Sequence, residues 1–184
     1  MSAQLCEQPN PHALSLIFQA GATGSVVASQ DIVDVCGNKL WFRDQPVSQA
    51  LHQRLLERKL QFPIESCLRA VDGVTTVDLL ADAEALLNSQ GGLFTHFKPW
   101  AKDLLQGIKS LPLHAVAQLL LTTRRSTDVQ RYAHDVQTML MSGGISACAG
   151  GSPYGIKLSL LGGLLHDLGE MYINPEYLQT MARM

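Results

Sequence analysis

The stretch from 156 to 178, IKLSLLGGLLHDLGEMYINPEYL, constrains this chain more than any other. Leu158, Leu161, Leu164, Leu165 and Leu168 recur at helical spacing and predict a helix with one buried face, ending at His166-Asp167. Gly169 stands where a left-handed C-terminal stop is expected, and Asn174-Pro175 reads as the cap and first residue of a further helix. An imidazole and a carboxylate thus fall in the last turn of an apolar helix, where the negative end of the macrodipole favours a cation. Gly162-Gly163 inside that helix costs about 1 kcal/mol per residue against alanine. Such a cost predicts that another backbone passes close by.

A second His-Asp pair, His134-Asp135, lies on an earlier helix, roughly DVQRYAHDVQTMLM. Thr127-x-x-Gln130 reads as its capping box, and Val129, Tyr132, Val136 and Met139 or Leu140 as its apolar stripe. Gln130, His134 and Gln137 share the adjoining face, because residues three and four apart are neighbours on a helix. GGISACAGGSPYG then reads as a flexible connection. None of its glycines follows a strand in a GxGxxG or GxxxxGK pattern, so it does not suggest a loop that cradles phosphate.

Upstream, HALSLIFQA within residues 1–24 is a short helix or a mobile arm. VVAS, DIVDV and KLWF are β-prone runs with a turn at Gly37-Asn38. QALHQRLLERKL is an amphipathic helix with Leu51, Leu55 and Leu56 on one side, capped by Ser48 without a capping box, and with His52 at its solvent edge. AVDGVTT, residues 70–76, is the best boundary. Beyond it VDLLADAEALLNS, capped at Thr76 and carrying Val77, Leu80, Ala83, Leu86 and Leu87, then FKPWAKDLLQGI and PLHAVAQLLLTT, continue the helical period. Phe94, Phe97 and Trp100 read as core, and His96 and His114 as structural.

At 184 residues, with 46% apolar and 16% charged, the chain suits one domain or a small module plus a larger one. A net charge of −2 and the absence of a basic run argue against a nucleic-acid polymer as partner. Cys6, Cys36, Cys67 and Cys148 are too scattered for a zinc ribbon and are expected as buried, reduced thiols. No signal-peptide pattern and no run of membrane-spanning length is present, so a soluble, cytoplasmic protein is expected.

LLHDLGxxxINPEYL, preceded by a helix that bears His134 32 positions before His166, resembles the first half of an HD-superfamily phosphohydrolase domain over roughly residues 100–184. The nearest branch is HD-GYP, whose active members hydrolyse cyclic di-GMP. DIVDVCGNKLWFRDQPVSQALHQRLLERKLQFPIE also looks like the small module that precedes such domains. The resemblance implies a mainly α fold: an all-helical HD-type bundle over 76–184, preceded by a strand-turn-strand-helix α/β module over 25–70 and an arm or short helix over 1–24. It implies His134, His166 and Asp167 as ligands of iron, manganese or zinc, with Asp167 as the catalytic carboxylate that binds or bridges metal.

Three departures bear on activity. The further histidines, an aspartate and the GYP signature of the family would lie beyond Met184. The family's HDIGK lysine, thought to hold a substrate phosphate, is Glu170 here, a charge reversal that turns attraction into repulsion, roughly 1 kcal/mol at 4 Å in water. The glutamate that stands four residues before the first histidine in members holding a third metal is Gln130 here, a neutral and poor ligand. Two functions follow. One is the N-terminal portion of a truncated or degenerate phosphohydrolase acting in bacterial signal transduction, inactive as these 184 residues. The other is a catalytically silent HD-like signalling module that binds a protein partner or nucleotide, a cyclic dinucleotide among the partners the resemblance implies. Apolar helix faces left uncovered in such a portion predict self-association, or partial disorder near the C-terminus.

Overall fold

Helices dominate this computed structural model, which describes residues 8–21, 26–90 and 92–177. The chain divides into two compact units, each assembled from separated segments. The first holds the described parts of Met1–Gly73, Ala115–Thr127 and Gly169–Met184, and the second Val74–His114 and Asp128–Leu168.

In the first unit, helix α1 (Pro11–Gly21) begins where the Asn10 side-chain oxygen accepts the backbone N–H groups of His12 and Ala13. It buries Ala13, Leu14, Ile17 and Phe18. Strand β1 (Val26–Ala28) pairs antiparallel with β4 (Leu68–Ala70), and β2 (Ile32–Val33) with β3 (Lys39–Trp41). Helix α2 (Gln49–Leu56) is capped by the Ser48 hydroxyl, which accepts the N–H of Leu51, and buries Leu51 and Leu55. Helix α5 (Ala115–Thr127) packs on α1, on β4 and on the 3-10 turn Ile64–Cys67. Tyr172 ties the later segment into this unit: its hydroxyl donates to Glu65 at 3.0 Å, and its carbonyl accepts from Asn10 Nδ2 at 3.0 Å. Burial, with the Glu65 carboxylate beside it, pushes the Tyr172 phenol well above its ordinary range.

The β2–β3 hairpin is organised by Asp34. Its carboxylate, 2% exposed, accepts the backbone N–H groups of Cys36 and Asn38, the Asn38 amide, and an Arg58 guanidinium N–H at 3.3 Å. Gly37 turns the chain at φ +83°, a conformation glycine adopts without strain. The hydrogen bonds from Asn38, with those from Cys36 and the Arg58 charge, hold the Asp34 carboxyl below the usual carboxylate range. A depressed folded value means that this stabilisation is complete above the unfolded carboxylate value of about 3.9 and is lost as pH falls through the folded value. Asp34→Asn should therefore lower the melting temperature at about pH 6, and the gap from wild type should narrow at about pH 3. A gap of constant size in thermal melts at the two pH values would contradict this role.

The second unit contains α3 (Thr76–Asn88), a 3-10 segment Leu93–Trp100, α4 (Ala101–Lys109), α6 (Val129–Cys148) and α7 (Pro153–Leu165). Helices α6 and α7 form the most extensive pairing among the described residues. They fold back on each other through Gly150, at φ +76°. Leu160 of α7, fully buried, fits the notches left by Gly107 on α4 and Gly143 on α6, while the Phe97 ring covers Gly144. The Tyr132 hydroxyl donates to Asp82 at 2.9 Å and joins α6 to α3.

The mainly helical class and the small antiparallel strand module agree with the sequence reading. β4 ends at Ala70 and α3 begins at Thr76, and α5 packs with the first unit. Several local expectations are corrected. The buried face of α7 is Ile156, Leu160, Gly163 and Leu164, whereas Leu158 is 48% exposed, because a helix apolar on all sides carries no single stripe. Gly169 lies in a 3-10 turn, Leu168–Tyr172, without positive φ.

Helix α6 starts at an Asp128 cap that accepts the Arg131 N–H, while Thr127 closes α5 with its hydroxyl on the Thr123 carbonyl. Val129 is exposed. Residues 143–148, expected as a flexible connection, continue α6, since packing against Leu160 and Phe97 offsets the intrinsic cost of the two glycines. Thr75 rather than Thr76 caps α3, in a capping box with Asp78. Val77 is exposed, and Leu79, Ala83 and Leu87 form the buried face of α3. Leu56 is exposed, and of the three aromatics only Phe97 is buried.

His52 is half-buried with its ring 5.0 Å from that of Phe18, not at a solvent edge. Cys67 is buried, but Cys36 and Cys148 are exposed. Asn174 does precede a helical segment that begins at Pro175, its side chain accepting the Glu176 N–H. Cys6, much of the N-terminal arm and the C-terminal residues 178–184 lie outside the described residues.

Candidate metal centre

Two helices of the second unit bring His134, His166 and Asp167 together. His134 is on the first half of α6, and His166-Asp167 is where α7 ends. The last carbonyls of an α-helix have no partner within it. The imidazole of His166 satisfies one of them, with Nδ1 2.9 Å from the Gly163 carbonyl. A carbonyl oxygen only accepts, so Nδ1 carries the proton and Nε2 faces the carboxylate of Asp167, 2.9 Å from Oδ2.

His134 approaches the same oxygen from α6, its Nε2 3.5 Å from Asp167 Oδ2, with ring centroids of the two histidines 5.4 Å apart. The three donor atoms lie within 4.8 Å of one another. Ligands about 2.0–2.1 Å from a tetrahedral zinc are separated by about 3.3 Å, so the set would have to draw together to close on one ion. A histidine ligand that donates its other ring N–H to a backbone carbonyl is the usual outer support of a metal site. The side chains of His166 and Asp167 are 32% exposed and that of His134 57%, which leaves positions open on the solvent side. The negative end of the α7 dipole adds to the attraction for a cation.

The sequence reading missed two contributors. Thr138, one turn beyond His134 on α6, sets its hydroxyl 3.5 Å from His134 Nε2. Gly163 supplies the carbonyl that orients His166, and a Cβ there would stand 2.6 Å from the Thr138 carbonyl oxygen and 2.9 Å from the Met139 Cα. The close backbone expected at Gly162-Gly163 is thus met at Gly163 alone, since a Cβ at Gly162 would meet nothing within 4 Å. The i, i+4 step from His134 to Thr138 was readable in advance, but hydroxyls are too common on helices to single one out. Gln130 and Gln137 are exposed on α6, and His96 and His114 are exposed outside the cluster. Among the described residues no further His, Cys, Asp or Glu joins the three.

No family model, curated protein or solved structure matches the chain. No helix among the described residues is long and apolar enough to cross a membrane.

Proposed function

We propose that the second unit is an HD-type domain whose His134, His166 and Asp167 seat one divalent cation, iron, manganese or zinc, in the lineage of metal-dependent phosphohydrolases that act on cyclic dinucleotides. The observation that supports it is the meeting of two imidazoles 32 positions apart in the chain with the carboxylate beside the second. A bound cation would polarise a phosphoryl oxygen and lower the pKa of a water. On the chain's side, His166 and Asp167 would hold it, with His166 oriented by the Gly163 carbonyl and His134 closing the set from α6.

Glu170 favours a second reading, a catalytically silent signalling module that binds a protein partner or nucleotide. It puts a negative charge at the sequence position where the lineage has a lysine. Three groups also fill only half of an octahedral cation and cannot complete a pair of them.

Calorimetric titration of metal-free protein with Zn(II) or Mn(II) should give about one site per chain. Asp167→Ala or His166→Ala should weaken it more than the 10–100-fold typical of changes behind a ligand. His96→Ala, exposed and outside the cluster, should leave it unchanged. Wild-type protein that binds neither ion, or binding indifferent to these substitutions, defeats the proposal. Cation binding without hydrolysis of bis-p-nitrophenyl phosphate supports the silent module; hydrolysis lost in Asp167→Ala supports the enzyme.

A further inference from the structure

We infer that Gly163 is the positioning residue of the cation cluster, acting on His166 through its carbonyl and on His134 through its missing side chain; this rests on the cation reading above. Its carbonyl accepts Nδ1–H of His166 at 2.9 Å and thereby leaves Nε2, 2.9 Å from Asp167 Oδ2, as the atom that would ligate the cation. Its Cα faces the α6 backbone so closely that a Cβ would stand 2.6 Å from the Thr138 carbonyl oxygen, 2.8 Å from Ser142 Oγ and 2.9 Å from the Met139 Cα. Two of these three neighbours are backbone atoms and cannot rotate away.

A methyl group at position 163 must therefore push α7 from α6 at the level of Thr138, one turn from His134. His166 and Asp167, adjacent in the chain, would move together and keep their 2.9 Å contact. The 3.5 Å approach of His134 to Asp167 would be the one to open. One residue thus sets both the ligand tautomer of one histidine and the reach of the other. Gly162, its neighbour, does neither, since nothing lies within 4 Å of a Cβ there.

The test uses the full chain labelled with ¹⁵N on histidine and titrated with Zn(II), reading the ring nitrogens of each histidine separately. In wild type the Nε2 signals of both His134 and His166 should move on zinc addition, while Nδ1 of His166 stays protonated. In Gly163→Ala only His166 should respond, and zinc affinity should fall at least about tenfold, as for other changes behind a ligand. Gly162→Ala should behave as wild type.

If neither histidine responds in wild type, the cation reading itself fails. If wild type responds at both and Gly163→Ala does too, with unchanged affinity, the cation reading stands and the role of Gly163 is overturned. Should Gly163→Ala not fold, hydrogen exchange of wild type decides the matter. Zinc should slow exchange at residues 139–143 and 160–163 at least about tenfold if the ion locks this seam, and unchanged exchange there overturns the inference.

Discussion

Leu160→Ala should lower the unfolding free energy of the second unit by about 2–5 kcal/mol, the range for deleting a buried leucine into a cavity that cannot collapse. Leu160 is fully buried and occupies two glycine notches at once, one on α4 at Gly107 and one on α6 at Gly143. Neither glycine has a side chain to swing into the space, so the high end of the range is expected. At about 4–8 °C per kcal/mol for a small domain, the melting temperature should fall by at least about 10 °C. Leu158, two residues away and 48% exposed, is the control, and Leu158→Ala should stay within about 0.5 kcal/mol. Equal effects at the two positions would show that α7 does not use the face assigned to it.

Loading with zinc should raise stability by a comparable amount. An ion that binds the folded state alone adds about 2.7 kcal/mol when its free concentration is a hundred times its dissociation constant. The proposed ligands are His134 on α6 and His166-Asp167 just past α7, so the gain would belong to the second unit. Calorimetric melts should show its transition moving up by about 10 °C and returning on chelation. Asp167→Asn keeps the shape but removes the charge that two histidine nitrogens face at 2.9 and 3.5 Å, and should abolish the shift. A zinc-induced shift that survives Asp167→Asn would place the ion elsewhere.

Local chemistry was legible where one residue type has one dominant use. Ser48 caps α2 as its hydroxyl suggests, Gly37 makes the hairpin turn, His134-Asp135 is helical, and His166-Asp167 stands where a helix ends. Legibility failed where several residues could serve the same end. Thr127 and Asp128 are both cap formers, and Asp128 prevailed because Thr127 back-bonds to Thr123 within α5. β4, three residues long, is too short for a period of two to register, and it exists through its partner β1. The glycines of 143 and 144 read as a break, since helix propensity speaks only for an isolated helix.

The candidate site divides in the same way. Residue types and spacing alone determined that one histidine lies on a helix and that a second histidine and an aspartate lie where the next helix ends, because helical period and helix termination are local properties of a chain. Whether those side chains meet was decided by the packing of α6 against α7, at the contact of Gly163 with the Thr138 and Met139 backbone. The face α7 turns inward was likewise set from outside. Leucines surround that helix and cannot choose a side for it, and the notches at Gly107 and Gly143 choose Leu160.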